Sequence, residues 1–335
     1  MNGKTLGVLA LVAILAIGAA LVATRKAQAP IVAGAETDRA LLVPDFKAAL
    51  NDIAGVRIVD AEGAIDLKKD EAGVWRAASL DGYPAKAETV AMLLMTMANQ
   101  EAGEAKTDDP SLYAEIGVDE ALSSPEAAIA TFTDAAGKEI TSIVFGIRSQ
   151  RMIGDRFVRV VGEARARRVP VRVSVKSGMR DWVDQQLTRI PTQVIESIRV
   201  EFVDAAPIDL HRPTPESPRF EVVGLADGVV TNEGEALAQI ESALTWLDFE
   251  TVRPSTGDIT DASVATTTFT LREGWSVALQ TWREATGTWA RIAVTGDEAI
   301  AEALRARTTG WDFRIAEPRF QSLRPTMASL TAPAE

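Results

Sequence analysis

No cysteine occurs in the sequence, which excludes disulfide staples, thiolate nucleophiles and cysteine-based zinc sites. Histidine is nearly as scarce. His211 stands alone in a proline-rich stretch just past a predicted strand, and one imidazole cannot build a histidine metal site. No Gly-x-Ser-x-Gly, no glycine-rich loop ending in Lys-Ser/Thr and no Gly-x-Gly-x-x-Gly is present, so neither a hydrolase triad nor a nucleotide site is indicated. Basic residues are outnumbered, 35 against 47 acidic, for a net charge of −12. The first thirty residues hold three basic and no acidic side chains, which leaves −15 on the rest. Such a body repels phosphate backbones and is not expected to bind nucleic acid.

What the sequence does have is one long apolar run. Thr5 to Thr24, TLGVLALVAILAIGAALVAT, contains no charge and no proline. As a helix it would rise ~1.5 Å per residue and cover roughly 30 Å, the hydrocarbon thickness of a bilayer. The run is longer than a signal-peptide core, Arg25 and Lys26 separate it from Ala27-Gln28-Ala29, and Pro30 would follow any cut there. A retained single-pass anchor is therefore expected rather than a cleaved signal. The positive charges on its two sides nearly balance. The short basic start favours an amino terminus inside, with the body periplasmic or otherwise outside the cytoplasm.

After a small, aperiodic linker the pattern becomes mixed. Asp45 is placed to cap a helix with Phe46, Leu50 and Ile53 on one face, stopped at Gly55. Short alternating strands follow, VRIVD, AIDLKKD and VWRAA, and then a helix, AKAETVAMLLMTMANQ. Val90, Leu93, Leu94 and Met97 form its buried face, and Met92 and Met95 are expected to widen that face as core. Asp109-Pro110 opens a short helix ended by Gly117. A hairpin turns at Asp134–Gly137. RFVRVV and VPVRVSV are further strands, the second with Val169, Val171, Val173 and Val175 on one face. MRDWVDQQL reads as a boundary helix stopped by Ile190-Pro191.

The order of elements then repeats. IRVEFVDAAPIDL resembles VRIVDAEGAIDL with one inserted residue, and RFEVVGL matches VWRAASL. Asn232 and Glu235 form a predicted capping box for a helix, EALAQIESALTWLDF, with Leu237, Ile240, Leu244 and Leu247 on one stripe. A hairpin closes the unit. The fold class expected is α+β: an N-terminal transmembrane helix followed by two similar α+β repeats with antiparallel sheets and packed helices. The divisions are 1–30 for the anchor, 31–190 and 191–316 for the repeats, and 317–335 for a C-terminal tail. In that tail Phe320, Leu323 and Met327 make one amphipathic turn, and TAPAE is expected to be disordered.

The last hairpin permits a register. A loop at Glu284–Gly287 pairs Arg283 with Thr288 and Trp282 with Trp289, and sets Leu279 against Ile292 and Val277 against Val294 on the opposite face. Two readings of the tryptophan pair are open: cover by a neighbouring element, or an exposed anchor for a protein partner.

Several segments together carry a family resemblance: Leu42-Val43-Pro44-Asp45-Phe46, GVWRAASLDGYPA, DDPSLYAEIGV, DWVDQQLTRIP and GWDFRIAEPRF. They resemble the bacterial DUF4340 family, a domain of unknown function, over nearly the whole body. The motifs are turns, caps and aromatic anchors, so no catalytic residue carries over. The resemblance implies an exported, membrane-tethered protein, and by association an accessory role beside an ABC-type transporter permease.

Carboxylates are the remaining chemistry. Asp108-Asp109 reads as a cap at a helix start and Glu101 with Glu104 as a solvated loop. Asp258 and Asp261 flank Ile259-Thr260 as a cation candidate but lack the Gly and terminal Glu of a calcium loop. Arg165, Arg167 and Arg168 read as a solvated strand edge, with anionic lipid or a partner's acids as the alternative. The resulting expectation is a non-catalytic accessory of a membrane complex, with no cofactor and no metal. A carboxylate-using exported hydrolase and a self-associating structural module are the alternatives.

Overall fold

The computed structural model describes residues 38–257, 259 and 264–334. The anchor Thr5–Thr24 lies outside these residues. Among them, no helix is long and apolar enough to cross a membrane. The protein is a mixed α and β structure built on two large sheets whose strand pairs are all antiparallel.

The first sheet is formed by β1 (Asp38–Leu41), β2 (Ile53–Asp60), β3 (Gly63–Lys69), β4 (Trp75–Ala77), β5 (Tyr83–Pro84), β6 (Glu101–Ala105), β7 (Ala128–Asp134), β8 (Glu139–Arg148), β9 (Asp155–Val160) and β10 (Arg167–Pro170). Its spatial order is β1-β6-β10-β9-β8-β7-β2-β3-β4-β5. After β11 (Gln186–Thr188), the second sheet takes β12 (Ile195–Phe202), β13 (Ala205–His211), β14 (Glu221–Val222), β17 (Thr251–Pro254), β18 (Ala265–Leu271), β19 (Ser276–Glu284), β20 (Gly287–Thr295) and β21 (Trp311–Ile315). Its order is β14-β13-β12-β18-β19-β20-β21-β17. From β4 to β6 across the first sheet and from β14 to β17 across the second, eight strands follow in the same chain sequence. In both, a three-strand meander leads into a helix (Ala87–Ala98 or Glu235–Glu241). Past that helix, β6 in the first sheet and β17 in the second lie at the far edge of these eight and pair with the last strand of a second, four-strand meander.

One apolar core runs under both sheets. Tyr83 from the first packs edge-on against Trp311 and Phe313 of the second and against Phe249, just before β17, with ring centroids 5.1–6.0 Å apart. Burial pushes the Tyr83 hydroxyl up to about 12. Arg307 binds Asp184 at 3.0 Å and the Gln186 carbonyl at 2.7 Å, and the Lys86 amide donates to the Trp182 carbonyl at 2.7 Å.

Several local expectations are corrected. The segment expected as a boundary helix is helical only over Met179–Trp182 and then extends into β11, because Trp182 is pinned in the core with its indole N–H on the Lys176 carbonyl at 2.6 Å. Asp45 is the N-cap residue of a one-turn helix, Phe46–Ala49, but its side chain makes no capping bond, and Asn232 does not cap Glu235–Glu241, whose N-cap residue is Gly234. That helix stops early, where the Ser242 hydroxyl bonds back to the Ala238 carbonyl, although all four stripe residues are buried. Gly55 lies in β2, and β10 ends at Pro170, after which the Val171 amide turns to the Gly154 carbonyl. Met92 and Met95 face solvent rather than the core. The tail is docked: Phe320 and Leu323 are buried, and β22 (Thr331–Pro333) pairs with β15 (Val229–Thr231) instead of fraying.

Candidate functional site

The hairpin β19–β20 has the expected register, Trp282 opposite Trp289 and Arg283 opposite Thr288, with Leu279–Ile292 and Val277–Val294 on the core side. Strict alternation fixes this, because a slip by one residue would turn the aliphatic pairs outward. The two indoles therefore lie on the outer face of the second sheet. They are only 3 % and 5 % exposed, which corrects their reading as an exposed anchor. The cover is ionic. The Arg253 guanidinium, from β17, stacks 3.8 Å over the Trp289 ring and grips Glu284 with two hydrogen bonds of 3.0 and 2.6 Å. Glu284 also accepts the Trp282 indole N–H at 2.8 Å. Arg253 and this N–H hold its carboxyl far below the ordinary 4.5, at about 2. Behind them, Asp312 accepts from Arg291 at 2.7 Å and from Ser255 at 2.8 Å. The arrangement pairs its charges, with the Arg253 Nε 3.7 Å from Asp312 and without a hydrogen bond, and serves as a lid on the tryptophans.

The other acids are dispersed in the same manner. Asp108 pairs with Arg165 at 2.7 Å, Asp109 caps Ser111 at 2.9 Å, and Glu104 binds Lys106 and Arg168 at 2.6 and 2.5 Å. Arg167 and Arg168 sit on β10, which is flanked by β6 and β9 and is not a sheet edge. His211 is exposed at the end of β13, opposite Glu221. Asp258 and Asp261 lie outside the described residues. Among those described, no group of three or more histidines and carboxylates is placed to hold a metal ion.

A different tryptophan lines an open cavity. Trp246, 52 % exposed, precedes β16 (Leu247–Asp248), which pairs with β11. With Gln239, Asp248, Arg319 and Ser322 it borders a space of ≈ 370 Å³. Its indole N–H donates to Asp248 at 2.6 Å, and the Arg189 guanidinium lies over its ring at 5.2 Å. The other Asp248 carboxyl oxygen is buried and accepts no hydrogen bond. Burial holds Arg319 below its ordinary value, with Asp248 opposing the shift. A fixed aromatic wall beside a guanidinium suits non-covalent recognition of a planar or anionic group. The sequence carried a signal for this residue, since Trp246 falls off the buried stripe of Leu237, Ile240, Leu244 and Leu247.

No curated protein and no solved structure matches the chain. The family described as "Domain of unknown function (DUF4340)" matches residues 75–267, more than half of the chain and parts of both sheets. The chain belongs to the DUF4340 family.

Proposed function

We propose that this chain is a membrane-anchored, non-catalytic binding protein: an accessory of an ABC-transporter-type membrane complex, single-pass in the inner membrane, with its body outside the cytoplasm. The observation that carries this reading is the uncharged apolar stretch Thr5–Thr24, joined by residues 25–37 to a body whose first strand begins at Asp38. The eight-strand order common to both sheets supports an internal duplication, which presents two similar frames behind one tether. The Trp246 cavity supplies a recognition feature, and Glu104, Asp108 and Asp109 are engaged in a cap and ion pairs. The transporter as partner rests on the association of the family alone.

The test is crosslinking of the full-length chain in native membranes, extraction in mild detergent and identification of what is recovered. A permease or another transporter subunit is the expected product. Recovery of the chain alone, or only with copies of itself, overturns the accessory role and favours a self-associating module.

A further inference from the structure

The β8–β9 hairpin ends in Ser149-Gln150-Arg151-Met152-Ile153-Gly154. Ile153 is 105 % exposed, more than any other large apolar side chain described, and Met152 beside it is exposed as well. The tip has a fixed base: the Ser149 amide donates to the Asp155 carbonyl at 2.8 Å, and the Asp155 amide returns to the Met152 carbonyl at 3.1 Å. Three exposed arginines surround it. Arg148 and Arg151 belong to the hairpin itself. Arg172 follows Val171, whose amide is bonded to the Gly154 carbonyl. None of the three forms an ion pair within 4 Å among the described residues. Of the neighbouring acids, Asp155 pairs with Arg168 at 3.4 Å and Glu104 with Lys106 and Arg168, Arg151 adds its attraction on Glu104, and the Glu126 carboxylate accepts the Arg148 amide at 3.3 Å. On a body of net charge −15, this is a local cationic collar around two apolar side chains.

The tip also lies near the point where the tether enters the body. Asp38 pairs with Gly103, beside Glu104, which pairs with Arg168, itself paired with Phe157 close after the hairpin tip. Three strand spacings separate β1 from β9, ~14 Å across the sheet. Residues 25–37 reach at most about 45 Å when extended. A membrane-embedded Thr5–Thr24 therefore keeps this hairpin within reach of the same bilayer.

We propose that Met152 and Ile153 insert into the interface of an anionic bilayer while Arg148, Arg151 and Arg172 bind lipid phosphates. This orients the first sheet toward the membrane. The inference rests on the tether reading, because two apolar side chains and three guanidinium groups hold a protein at a surface only weakly by themselves. The tether makes the encounter intramolecular, so weak contacts suffice.

The absence of native cysteine allows single-thiol labelling of the full chain. Ile153→Cys, Ala20→Cys and Val203→Cys, each carrying an environment-sensitive fluorophore, are reconstituted into phosphatidylcholine vesicles with and without phosphatidylglycerol. The expected result is a blue-shifted label at 153, quenched by a lipid-attached quencher at least about twofold more when phosphatidylglycerol is present. Arg148→Glu with Arg151→Glu should abolish that difference, and the label at 203 should stay water-like. A water-like label at 153 with an embedded label at 20 overturns the tip contact and leaves the tether standing. A water-like label at 20 overturns the tether and the tip contact with it. Equal quenching at 153 in both vesicle types overturns the role of lipid charge.

Discussion

The outer faces of the two sheets solve one problem in two ways. In the first, the connection from β6 to β7 spans residues 106–127 and is long enough to carry its own small core. Tyr113 and Val118 from that connection pack over Val144 of the sheet, with Ile116, Ile129 and Phe157 at the margin. The connection presses so closely on β8 that a Cβ on Gly146 would stand 2.2 Å from the Ile116 carbonyl. Arg159 hooks it down, donating to the Val118 carbonyl at 3.0 Å and to Glu120 at 2.8 Å while its guanidinium lies 4.6 Å over the Tyr113 ring. In the second sheet the matching connection, β17 to β18, spans only residues 255–264. Two tryptophans take the place of the extra core, and arginine–carboxylate pairs close over them. A long connection buries a face with apolar side chains and backbone carbonyls. A short one leaves the face to large aromatics and planar cations.

The difference can be broken most severely at the tryptophans. Replacing both by Ser (Trp282→Ser with Trp289→Ser) should cost about 5 kcal/mol or more in urea unfolding, since each removes a buried ring and leaves a cavity under the arginines. A loss under about 1 kcal/mol would mean that the rings add little to the fold, and would return the pair to the role of partner anchor. On the first sheet, Arg159→Met keeps the aliphatic stem but removes the hook. It should cost about 3 kcal/mol, because the Val118 carbonyl loses its donor in a buried place. Unchanged stability would show that apolar packing alone holds the long connection down.

How much of this was legible in the sequence follows from how local each cause is. The register of β19–β20 could be read because both faces alternate over adjacent residues joined by a tight loop. The Asp109 cap and the Gly117 stop could be read because each acts within one turn. The lid over Trp289 could not, since Arg253 reaches it from a strand more than thirty residues upstream. The docking of β22 on β15 is likewise long-range, and Thr331-Ala332-Pro333 has no strand pattern of its own. The Met92 and Met95 positions mislead for another reason. The helix has apolar residues on more of its circumference than its neighbours cover, and periodicity cannot say where cover ends. The open cavity needed the reverse reading, of a large aromatic off the buried stripe, and Trp246 shows that such a residue identifies an unfilled surface.

The smallest expected effect separates the ionic lid from the apolar one by its dependence on pH. Glu284 sits at about 2 in the folded protein against an ordinary 4.5. A depressed carboxylate adds stability that is fully present above the unfolded value and is lost as pH falls through the folded one, so the window lies between 4.5 and about 2. For a fully buried group the shift would correspond to ~3 kcal/mol. The Glu284 side chain keeps 34 % of its surface in water, and solvent screening reduces the contribution to about 1 kcal/mol. Glu284→Gln should therefore lower stability by about that amount at pH 7, and the gap from the parent protein should close on acidification through the window. Salt should narrow it as well, because the pair is partly exposed. Arg159→Met should show neither trend to the same degree, since two of the three acceptors of Arg159 are uncharged backbone carbonyls. A gap for Glu284→Gln that holds its size from pH 7 to pH 2 would mean that the carboxylate acts by shape and hydrogen bonding, and that the two lids are closer in kind than their charges suggest.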